Sequence, residues 1–124
     1  MDAEGIRELF ADILPVRVRR MFGGHGIYDG ETMFALEAGG EIWLKADAQS
    51  VQRFEAAGSA AFTYQKQGKP FAMSYWRLPD EALDDADALR DWTRLAVEAA
   101  RRPAKPAAKP IRPRASTRNP APPR

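Results

Sequence analysis

Apolar residues recur every three or four positions at the start of the chain. Ile6, Leu9, Phe10, Ile13 and Leu14 take the i, i+3, i+4, i+7, i+8 places of one helical face. Pro15 stops that helix, because the residue before a proline is driven out of the α region. From Val16 to Phe22 the period falls to two, with Val18 and Arg20 on one side and Arg17, Arg19 and Met21 on the other. The glycines of Phe22-Gly23-Gly24-His25-Gly26 then predict a turn. Asp29-Gly30 and Gly39-Gly40 each separate short apolar runs, Gly26–Tyr28, Thr32–Leu36 and Glu41–Lys45, and both dipeptides favour two-residue hairpin turns. Met33 to Leu36 is apolar on both faces, which predicts a central strand covered at least in part by helices.

Asp47 is the expected N-cap of a second helix through Val51 and Phe54, with Gly58 just past its end. Phe62–Lys66 and Phe71–Leu78 read as paired strands turned by Gln67-Gly68-Lys69-Pro70, and Pro79 ends the second. A last helix opens at Asp84 and Asp85, carries Leu89, Trp92, Leu95, Ala96 and Ala99 on one face and reaches about Arg101. The order α-β-β-β-β-α-β-β-α lacks βαβ alternation. It predicts an α+β fold: an antiparallel sheet containing a β-meander, with helices packed against it.

Charge divides the chain where the periodicity stops. Residues 1–100 hold eleven Lys/Arg against seventeen Asp/Glu, a net of −6, whereas residues 101–124 hold eight Lys/Arg and no acid. The same final 24 residues carry seven of the ten prolines and no aromatic. Two regions are expected: a folded domain over 1–101 and a disordered, basic, Pro/Ala-rich tail over 102–124. At 124 residues there is room for one core. No apolar run nears the ~20 residues of a membrane span, and the acidic start Met1-Asp2-Ala3-Glu4 is unlike a secretory signal, so a cytoplasmic protein with no membrane contact is expected.

Catalytic chemistry finds little support in the residues. Zero cysteines removes disulfides, thiolate metal sites and cysteine nucleophiles. His25, the only histidine, cannot hold zinc without imidazole or thiolate partners, and its setting reads as a turn. Gly24-x-Gly26 fails as a dinucleotide fingerprint because Asp29 stands where the third glycine belongs. Glu37 and Glu41 flank a hairpin tip, an ordinary solvated place, and Asp84, Asp85 and Asp87 are explained by capping. Trp43, Tyr64, Tyr75, Trp76 and Trp92 suit core packing better than base stacking. No metal, no cofactor and no enzymatic activity are therefore expected.

The basic residues carry the candidate contacts. Arg17, Arg19 and Arg20 on the first strand either protect a sheet edge from aggregation, the favoured reading, or form a docking strip for an acidic partner or phosphates. Arg101, Arg102, Lys105, Lys109, Arg112, Arg114, Arg118 and Arg124 make a cation suited to non-specific nucleic-acid binding by counterion release, or else a solubilising tail.

Arg20 to Tyr28, Met33-Phe34-Ala35-Leu36, Trp43-Leu44-Lys45-Ala46-Asp47, Phe62-Thr63-Tyr64, Met73-Ser74-Tyr75, Leu78-Pro79 and Trp92 together resemble the N-terminal domain of the TfoX/Sxy family over about residues 7–100. Phe22, Gly23, Gly24, Gly26 and Tyr28 belong to that motif. The resemblance implies an α+β domain without known enzymatic activity and a link to regulation of natural transformation. Family regulators of full length are thought to act as co-activators beside a transcription factor, and they normally carry a second, helical domain where this chain has its basic tail. Two alternatives remain open: a module that only docks a transcription factor, and a small-ligand binder or enzyme with a pocket near the Phe22–Tyr28 turn.

Overall fold

A computed structural model describes residues 1–21, 23–66 and 69–103, apart from the side chains of 64–73. The order is α1 (Ala3–Phe10), β1 (Arg17–Met21), β2 (Gly24–Asp29), β3 (Thr32–Ala38), β4 (Glu41–Lys45), α2 (Val51–Ala56), β5 (Ala61–Lys66), β6 (Lys69–Arg77), α3 (Glu81–Asp84) and α4 (Ala86–Arg101). The strands form one antiparallel sheet in the order β1-β2-β3-β4-β6-β5. The predicted class and most of the predicted order hold.

Each hairpin follows from its turn. Gly39 and Gly40 adopt φ of 64° and 83° between the paired residues Ala38 and Glu41, a double positive φ that side chains resist. Across β2 and β3, Ile27 faces Ala35 and Tyr28 faces Met33, so Phe34 is an extra residue in a bulge. The bulge lets Phe34 and Ala35 both be fully buried, and Phe34 meets Phe10 of α1 edge-on at 5.5 Å.

All helices contribute to one layer on one side of the sheet. Ile6 and Phe10 from α1, Phe54 from α2, Ala82 from α3, and Leu89, Trp92 and Ala96 from α4 share a core with Ile27, Ala35, Ile42 and Leu44 from the strands. Phe54 stands 4.7 Å from Trp92 and 6.2 Å from Trp76, joining α2, α4 and β6.

Five local expectations are corrected. The helix of α1 ends at Phe10, and only a looser turn carries on to Leu14, whose N–H still bonds the Phe10 carbonyl at 3.1 Å. Gly24, His25 and Gly26 lie within β2, so among the described residues of that motif only Gly23 is left to the turn. Lys69 and Pro70 are strand residues paired with Lys66 and Gln65, and Gln67 and Gly68 lie outside the described residues. Asp85 is the N-cap of α4, accepting from the N–H groups of Asp87 and Ala88, and the preceding four residues form the separate α3. Asp47 accepts from the N–H groups of Gln49 and Ser50, capping the turn ahead of α2, while Ser50 holds the cap position itself.

Candidate functional site

Alternation along β1 divides the predicted arginine strip. Arg17 and Arg19 share the side of the sheet opposite the helices, while Arg20, paired across to His25, takes the helical side. All three are exposed, on an edge strand. Arg17 lies over the Tyr28 ring at 5.7 Å and donates to the Gly30 carbonyl at 3.0 Å.

The glycines of the motif act as spacers. A Cβ on Gly24 would sit 2.1 Å from the Glu37 carbonyl oxygen, so only glycine allows β2 to pair there with β3. A Cβ on Gly26 would lie 2.7 Å from the Met21 sulfur and 3.0 Å from the Met33 sulfur. Phe22 lies outside the described residues.

Opposite the helices the registers line up a row: Arg19, Gly26, Leu36, Trp43 and Arg77, one residue from each of five strands. Trp43 packs edge-on against Phe62 at 4.9 Å, and its indole N–H is buried without an acceptor among the described residues. Lys45 lies over Tyr75 at 5.3 Å and donates to the Ser74 hydroxyl at 2.6 Å. Met21, Met33, Leu36 and Phe62 are half-buried and line an apolar depression of about 120 Å³. It abuts the segment where a small-ligand pocket was an alternative, but falls below the ~300 Å³ at which small-molecule sites usually begin.

One polar pair was not foreseen. Glu37 is only 5% exposed, a correction to the solvated place expected for it. Its Oε1 lies 2.7 Å from Nδ1 of His25, its Oε2 accepts from the Gly40 N–H at 2.9 Å, and the α-amino group of Met1 stands 3.8 Å away. Burial pushes the Glu37 carboxyl up. The bonds from His25 and Gly40 and the charge of the N-terminus outweigh it, leaving the pKa below its ordinary value. An ionised carboxylate only accepts, so Nδ1 of His25 carries the proton of that bond. His25 is therefore a strand residue held by a carboxylate, in place of the turn histidine expected. The direct pairing of His25 with Glu37 across β2 and β3 would have disclosed it, but the sequence does not show register.

The root of the tail is tied to the body. Arg101 pairs with Asp29 at the end of β2. Arg102 grips Asp47 through two bonds, Nε to Oδ2 at 2.6 Å and Nη2 to Oδ1 at 3.0 Å. The hydrogen bond from Arg102 is the main cause that holds the Asp47 carboxyl down at about 2. Lys105, Lys109, Arg112, Arg114, Arg118 and Arg124, with the predicted disorder of the tail, lie outside the described residues. Among the described residues no three His, Cys, Asp or Glu side chains are grouped as a metal ion needs, and no helix is long and apolar enough to cross a membrane.

Fold and surface define a small α+β domain with one helical layer and an apolar sheet face rimmed by cations. The model of the TfoX N-terminal domain matches residues 8–100, and the chain belongs to that family. It is also similar to Protein Sxy of Escherichia coli (strain K12), 31% identical over 77 residues. That match takes in 62% of this chain and 36% of the relative, so the chain spans little more than a third of that protein.

Proposed function

We propose that the chain is a regulatory interaction domain of the competence-regulator type, acting by docking and without catalysis. The folded body engages a protein partner, and the basic tail contacts nucleic acid through phosphates regardless of sequence. The observation that carries this reading is the charge division, a body of net −6 followed by 24 residues with eight cations and no acid. Family membership supports it. So do the only imidazole of the chain, engaged with Glu37, and an apolar depression too small for an ordinary substrate.

Arg101 and Arg102 are neutralised by Asp29 and Asp47, so the phosphate contacts fall to Lys105 and the cations after it. If about four of these engage phosphates, affinity for duplex DNA drops roughly 10²-fold between 50 and 200 mM salt. A mobility-shift titration tests this on the full chain against a full-length variant with Lys105, Lys109, Arg112, Arg114 and Arg118 changed to Gln. The variant is expected to lose both the binding and its salt slope. Equal binding by the two proteins would remove the tail from the function.

A further inference from the structure

The charges of the body are sorted by side as well as by sequence. The segments that build α1, α3 and α4, residues 2–12 and 80–101, hold eleven carboxylates against four arginines. On the opposite side the strands place Arg17, Arg19, Lys45 and Arg77 among Tyr28, Met33, Leu36 and Trp43, with Glu41 on that side of β4 and the exposed carboxylates of Glu31 and Asp80 3.7 Å from Arg17 and 3.4 Å from Arg77. An acidic body thus carries a cationic, apolar face.

We infer that this sheet face is the docking surface of the body, and that its occupant is an acidic amphipathic protein segment that inserts one apolar side chain between Met21, Met33, Leu36 and Phe62. The inference rests on the interaction reading above and names the chemistry of the partner. Charge complementarity selects an anionic occupant, since Arg19 and Lys45 have no carboxylate partner among the described residues and Arg17 and Arg77 can exchange the exposed Glu31 and Asp80 for carboxylates of a bound segment. The shape of the face selects protein over nucleic acid. Arg17 already covers the Tyr28 ring, Lys45 covers Tyr75, and Trp43 stands edge-on to Phe62, so these rings do not offer the open faces on which bases stack. What is offered instead is two thioethers, a leucine and a phenyl edge around about 120 Å³. A cavity near 150 Å³ accommodates a benzene ring, so the smaller depression fits one aliphatic side chain. Methionine suits the task, because its flexible thioether moulds to different apolar anchors.

The test uses the full chain with its methionine methyl groups labelled with ¹³C. Met21 and Met33 report the face, and Met1, beside α1 on the helical side, is the internal reference. The probes are two synthetic 16-residue helical peptides with the same leucine pattern, one with Glu and one with Lys at the polar positions, and a 16-nucleotide oligo-dT. The Glu peptide is expected to shift Met21 and Met33 while Met1 stays still. Reversing Arg17 and Arg19 to Glu is expected to weaken it about tenfold. Both arginines are exposed, and circular dichroism checks that the variant folds; Lys45→Glu serves as a second variant. Equal shifts from the Lys peptide, shifts from oligo-dT, or shifts that grow with protein concentration alone would each overturn the inference, the last by showing a second copy on the face. Still methyl groups together with tail-dependent DNA binding would remove the docking face and leave the regulatory reading standing.

Discussion

Glu37 stays ionised in a nearly closed site because two hydrogen-bond donors and a nearby ammonium group surround it, and each depends on a different piece of backbone. His25 reaches it across the β2–β3 ladder, Gly40 through a turn that only positive φ permits, and Met1 from the start of the chain. Removing His25 leaves a desolvated carboxylate short of one bond, so His25→Ala should cost about 1–3 kcal/mol, and the His25→Ala, Glu37→Gln pair should be clearly non-additive in urea unfolding. The sign of the pH dependence follows from the lowered pKa. The stabilisation from Glu37 is present above the ordinary carboxylate range and is lost as acid passes through the depressed value. Additive single and double variants would show that the pair is not coupled. At this scale the sequence discloses apolar residues far better than polar ones. Phe10, Leu44 and Trp92 declare themselves by spacing, whereas Glu37 in a hairpin and His25 among glycines resemble solvent-facing residues until the register sets them side by side.

The elements were legible in proportion to their length. The 16 residues of α4 repeat their apolar face several times, and the meander is punctuated by two diagnostic turns. The four residues of α3 are too short to show any period, and the indole of Trp92 fixes that helix to α4 by donating to Glu81 at 2.9 Å. The glycines ahead of Ile27 also misled, since they serve the close approach of strands as well as the turn. The bulge at Phe34 is invisible to alternation, yet α1 docks through it. Phe34→Ala should therefore cost about 3–5 kcal/mol, with amide exchange in α1 accelerating more than in α4. Equal acceleration in the two helices would mean that α1 is held mainly by contacts other than Phe34.

For the whole molecule, the residue that follows α4 is part of its stability. Composition drew the boundary at residue 101, and the clamp of Arg102 on Asp47 carries the body one residue further. Because Asp47 is held at about 2 against an ordinary 3.8, its stabilisation is fully present above the higher value and drains away as pH falls towards the lower one. Arg102→Ala should flatten that acid limb in thermal melts between pH 5 and 2; an unchanged limb would assign it to other carboxylates. Composition could mark where the acids give way to cations along the chain but not which side of the sheet would gather positive charge, since that depends on the alternation of each strand. A folded body with an excess of carboxylates on one side and of cations on the other has a permanent dipole moment. In the field of a polyanion it turns before it touches, bringing the strands round to the front and the helices to the rear. Encounters with an anionic partner should then quicken as ionic strength drops, even where the dwell time after contact does not change.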